Sequence, residues 1–159
     1  MSKSLEELLD KEAIVELLMK AAILLDEGRF LDWAGLFAEN GQYEMLFNSE
    51  EIGGVEDYLM KLEKPELVKV LSLLPNHVVD TAKRLHVVSN AMIDLNRETA
   101  ESRSNFTVYR TGEKGKTTLY AVGHSEDSLV KENGRWLFLK CRVVLDTRML
   151  ETHTHTPLQ

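Results

Sequence analysis

"RLHVVSNAMIDL", residues 84–95, decides how this chain folds. As a β-strand it sends alternate side chains to opposite faces. Leu85, Val87, Ser89, Ala91, Ile93 and Leu95 then make one nearly apolar face, while Arg84, His86, Val88, Asn90, Met92 and Asp94 make the other. That second face is a pocket with His86 as its base, a surface for another subunit, or sheet turned to solvent.

Downstream the texture of long strands continues. "KRLHVVSNAMIDL" ends in a polar loop at Asn96–Thr99, and "ESRSNFTVYRT" and "TTLYAVGHSEDSLVK" flank the glycine-bearing hairpin "GEKGK". After the turn "ENG" comes "RWLFLKCRVVLD", with Leu137, Leu139, Cys141, Val143 and Leu145 on one face. Trp136, Phe138, Lys140, Arg142, Val144 and Asp146 occupy the opposite face. Consecutive strands joined by short turns predict an antiparallel meander.

Upstream the period changes to that of helices. Ser4 and Glu7 have the spacing of a capping box, ahead of Leu8, Leu9, Ile14, Leu17, Leu18, Ala21, Leu24 and Leu25. Gly28 is the expected stop. Asp32 is read as the cap of a short helix carrying Trp33, Leu36 and Phe37 and ending at Asn40-Gly41. "QYEMLF" (42–47) reads as a strand. "VEDYLMKLEKPELVKVLSLLP" (55–75) reads as helical with a break at Pro65, and "EDYLMKLEK" within it as a solvated helix face. Helices first and a meander second predict an α+β fold, one domain over residues 1–159, with N-terminal helices packed on a long curved antiparallel sheet.

Composition narrows the function. The chain has 159 residues, 43% hydrophobic and 28% charged, enough for one core without staples. Its formal charge of −7 repels phosphate backbones, so nucleic acid and anionic membranes are not expected partners. No apolar run approaches the roughly 18–20 residues that span a bilayer. With an N-terminus too acidic for a signal peptide, the expected location is cytoplasmic. The lone Cys141 excludes an internal disulfide and a four-cysteine metal site, and reads as a buried, inert thiol.

Several segments, in order, resemble one family. "LLDEGRFLDWAGLFAENGQYEM", "RLHVVSNAMI", "RSNFTVYR" and "GHSEDSLVKENGRWLFLKCRVVLDTRML" together look like the β (small) subunit of aromatic-ring-hydroxylating dioxygenases, over roughly residues 8–150. The resemblance implies the cystatin-like cone shared with nuclear transport factor 2, ketosteroid isomerase and scytalone dehydratase. It also implies a non-catalytic, assembly-supporting role, as a homotrimer within an α3β3 heterohexamer. The catalytic α subunit would carry the Rieske [2Fe–2S] centre and the mononuclear iron, leaving this chain without a cofactor. That division suits the composition, since a Rieske centre takes two cysteines and two histidines. The outward sheet face (Trp136, Phe138, Arg142) or the C-terminal tail is then the expected contact between chains.

A second reading keeps the cone but makes it an enzyme. The resemblance to stand-alone members of that fold places Asp26 and His86 as a dyad, the carboxylate orienting the ring and the imidazole removing a proton from a small hydrophobic ring compound in a lyase, dehydratase or isomerase reaction. Tyr43, Asn90, Tyr109 and Tyr120 are the candidate pocket donors. The plainer account is a hydrogen-bonded strand histidine and aromatics covering a sheet. His153 and His155 share a strand face but lack a third ligand, and His77 and His124 show no partner. Arg103, Arg110 and Arg142 are expected to pair with Glu101, Glu126 or Asp127, or with a carboxylate of the α subunit.

Overall fold

The computed structural model describes residues 2–47, 56–76 and 80–150. His77, His153, His155 and the tail beyond Leu150 lie outside the described residues. Helix α1 spans Ser2–Asp26 and α2 Phe30–Ala34, followed by strands β1 (Phe37–Phe47) and β2 (Asp57–Glu63). Helix α3 (Lys64–Leu73) runs into a 3₁₀ turn at Leu74–Asn76. Strands β3 (Lys83–Asn96), β4 (Thr99–Thr111), β5 (Thr117–Glu132) and β6 (Arg135–Leu145) complete the chain. Six strands form one sheet in the order β2-β1-β6-β5-β4-β3. The expected meander is there, antiparallel throughout from β3 to β6. Beside it β1 runs parallel to β6, a pairing that strand periodicity does not reveal.

All three helices lie on one face of this curved sheet, which we call the inner face. Ile14, Leu17, Leu18, Ala21, Leu24 and Leu25 of α1 are buried there, whereas Leu8 and Leu9 are exposed at 63% and 60% and do not belong to the stripe. The helix starts at Ser2, so Ser4 lies within it. Gly28 stops it as expected, with φ +69° and Arg29 N–H reaching back to the Leu24 carbonyl at 2.8 Å.

Two helical expectations fail. The second helix begins at Phe30, two residues before Asp32, and ends at Ala34; Phe37 through Gly41 belong to β1, where Phe37 packs on Phe138 and Trp33. Residues 57–63 are an edge strand rather than a helix, alternately exposed and half-buried. The open edge of β1 supplies backbone partners from Gln42 to Phe47, and that pairing overrides a weak local preference. Pro65 stands in the first turn of α3, where its missing N–H costs nothing, and Glu63 with Glu66 forms the capping box there.

Bulges cause the largest departure from simple alternation. Between Ser89 and Met92 two residues of β3, Asn90 and Ala91, oppose Ser104 alone, and Asn90 takes φ +56°. Arg84, His86 and Val88 face inward before the bulge, Ile93 and Leu95 after it. The supposed apolar face is split: Leu85 and Val87 point outward, exposed at 56% and 44%. A second bulge at Leu139 does the same in β6. Trp136 and Phe138 are core residues, not an outward contact surface, and Cys141, Val143 and Leu145 resume the inner face.

Candidate functional site

At its last residue α1 meets the inner face of β3. Asp26 accepts a hydrogen bond from the His86 ring, Oδ1 to Nδ1 at 2.5 Å, and from the His86 backbone N–H at 3.0 and 3.1 Å. One carboxylate thus holds both the main chain and the ring. It makes Nδ1 the protonated nitrogen and leaves Nε2 with its lone pair. The imidazole is 1% exposed, and Nε2 is buried without a hydrogen-bond partner among the described residues. Chemically this is an oriented acceptor facing the interior, able to take a proton or to bind an N–H or O–H group.

The other candidates separate. Tyr120 is buried at a bulge of β5, with the Arg84 guanidinium 5.0 Å from its ring centre, and so lines the same end of the interior as His86. Tyr43 is fully buried, its ring edge-on to Trp33, in the cross-strand row that continues through Cys141 and Asp127 to Ser102. Two assignments are corrected. Tyr109 points to the outer face, opposite Leu85 and Leu119, because strand alternation puts it out of phase with Val108. Asn90 is exposed, since the bulge it creates turns it away from His86.

A polar cluster joining the segment before β3 to β3 and β4 was not foreseen. Asp80 accepts two hydrogen bonds from Arg110, at 2.8 and 3.1 Å, and lies 3.5 Å from Arg84, the cross-strand neighbour of Arg110. The Arg110 guanidinium holds the Asp80 carboxyl at about 2, below its ordinary 3.8. Asp80 sits in a connection with no periodic pattern, so nothing in the sequence marked it. Arg142 pairs with Glu126 as anticipated, at 3.5 Å, and also with Glu44 at 2.9 Å and Glu56 at 2.5 Å. His124 has a partner after all, Glu126 at 3.4 Å. Asp127 takes part in no ion pair among the described residues. Among those residues no three metal-binding side chains converge, and no helix is long and apolar enough to cross a membrane.

The SnoaL-like domain model matches residues 6–142, from α1 into β6. The chain belongs to the SnoaL-like domain family. This SnoaL-like chain is 28% identical over 151 residues to the beta subunit of 2-aminobenzenesulfonate 2,3-dioxygenase of Alcaligenes sp, covering 94% of the chain and 100% of that subunit. It is 29% identical over 157 residues to the beta subunit of methanesulfonate monooxygenase hydroxylase of Methylosulfonomonas methylovora, covering 92% and 86%. Among solved structures it superposes on a protein of Novosphingobium aromaticivorans described as the beta subunit of an aromatic-ring-hydroxylating dioxygenase. That superposition has a TM-score of 0.86 at 19% identity and covers 96% and 99% of the two chains.

Proposed function

We propose that this SnoaL-like chain, a single domain over residues 1–159, is the small subunit of a ring-hydroxylating dioxygenase or closely related oxygenase. It supports a larger α subunit that bears the Rieske and mononuclear iron centres. The observation that carries this reading is the end-to-end match to an oxygenase beta subunit, 94% of one chain against 100% of the other. One cysteine does not supply the two that a Rieske cluster needs, so oxidation belongs to the partner.

The outer face of the sheet supports an assembling role. Leu85, Tyr109 and Leu119 stand side by side on three strands, exposed at 56%, 38% and 56%, with Val87 beside them. Contiguous apolar side chains of this kind are characteristic of subunit contacts. A homotrimer inside an α3β3 hexamer, in the cytoplasm, is the arrangement we infer. In it the Asp26–His86 pair is a strut tying the end of α1 to β3. Purified alone, the chain should contain no iron and show no visible chromophore; co-expressed with its α subunit, it should elute with the coloured protein. Tightly bound iron in the isolated chain would overturn the reading.

The buried Nε2 of His86, without a hydrogen-bond partner among the described residues, favours one second reading, a stand-alone lyase or isomerase using His86 as base and Asp26 to orient it. In that case His86→Ala abolishes turnover of a small hydrophobic ring compound while the chain stays folded.

A further inference from the structure

Inside the sheet, away from His86, lies a group the proposed assembly role does not use. Asp127 on β5 is 0% exposed. The sheet register sets Ser102 of β4 and Cys141 of β6 directly across from it, and Ser104 across from Ser125 one inward position along. Its Oδ1 is 2.5 Å from Ser125 Oγ and its Oδ2 is 3.4 Å from Ser102 Oγ. The backbone N–H of Arg142 and the Cys141 thiol also reach it. Every one of these neighbours is neutral.

Among the described residues Asp127 belongs to no ion pair, and the nearby charges are engaged elsewhere. Glu126 and Arg142 pair with each other on the outer face, while Asp10 and Asp26 of α1 are held by Lys131 with Trp136 and by His86. Among the described residues the titratable side chain set against it is Cys141, which burial keeps a thiol. A carboxylate sealed from water with no counter-charge costs far more than hydroxyls and one peptide N–H return, and such a group takes up a proton instead. A few buried hydrogen bonds lower that cost without removing it. Ser104 Oγ, buried beside the cluster without a partner among the described residues, shows that its polar groups are not fully matched.

We propose that Asp127 is carried as a neutral carboxylic acid at the centre of this Ser102–Ser125–Cys141 cluster, and that its ionisation weakens the β4–β5–β6 sheet as the pH rises. Burial pushes the carboxyl up to about 7 from the ordinary 3.8, against the opposing pull of Ser125, Cys141, the Arg142 backbone and Ser102. Because the folded value lies above the unfolded one, the native state binds the extra proton between about 4 and 7. The stability from this group is whole below that window and lost across it.

The test compares the full chain with Asp127→Asn, a neutral match in shape, by urea denaturation at steps from pH 4 to pH 9. The folding constant of the variant relative to the parent should rise by up to about tenfold per pH unit between 4 and 7, then level off. A ratio constant over that range overturns the proposal, as does one that falls. Should the variant not fold, carbon-13 NMR of the Asp127 carboxyl in the parent chain decides. A midpoint near 7 supports the neutral acid, and a midpoint near 4 refutes it.

Discussion

Asp26 and His86, sixty positions apart in the chain, are joined by three hydrogen bonds from one carboxylate, two to the backbone N–H and one to the ring nitrogen. This clamp fixes where α1 ends on the sheet and which nitrogen of His86 is free. Asp26→Asn keeps the shape, but its NH₂ cannot accept a hydrogen bond. The substitution should cost about 1–3 kcal/mol, read as a fall in Tm of about 3–10 °C by calorimetry. An unchanged Tm would show that the clamp contributes nothing to folding.

Asp80 gives the fold an acid limit. Its carboxyl is held below the unfolded value by Arg110, so its contribution is present above about pH 4 and disappears as the pH falls through about 2. The stability difference between the chain and Asp80→Asn should therefore be largest near neutral pH and shrink toward pH 2. Thermal melts at stepped pH measure it.

Gly123 faces Phe106 and Leu145 across the strands, where a Cβ would stand 2.9 Å from the Phe106 ring and collide with the Val144 carbonyl oxygen. A backbone oxygen cannot swing aside as a flexible side chain can. Gly123→Ala should destabilise by about 3 kcal/mol, near the upper end of overpacking costs, measurable by urea denaturation.

The outer apolar row makes a prediction of opposite kind. Leu119→Glu changes an exposed position and should leave Tm within about 2 °C. It should nonetheless weaken assembly, shown by gel filtration of the co-expressed complex. Loss of both fold and assembly would place Leu119 in the core instead.

Much of this architecture was legible because the strands are long and the buried residues of α1, Ile14, Leu17, Leu18, Ala21, Leu24 and Leu25, recur at helical spacing. Gly28 and the turns at Asn96–Thr99 and "GEKGK" punctuate them where expected. What escaped was set by neighbouring strands. The bulges at Asn90 and Leu139 insert a residue against a partner, so an alternation correct for one half of a strand inverts in the other. That inversion put Trp136 and Phe138 into the core and Leu85 on the surface. Residues 57–63 became a strand because β1 offered them an edge. Asp26 and His86 were identified by resemblance and brought together by the fold. Asp80 and the neutral surroundings of Asp127 depend on contacts across the chain, which no local pattern records.

Native mass spectrometry of the tagged chain, purified gently from its own host, decides whether it works as an oxygenase subunit. The expected result is equal numbers of this chain and a larger iron-bearing polypeptide with Rieske ligands, in a closed particle of three copies each. This chain recovered alone, turning over a small ring compound in a reaction lost with His86→Ala, would contradict it.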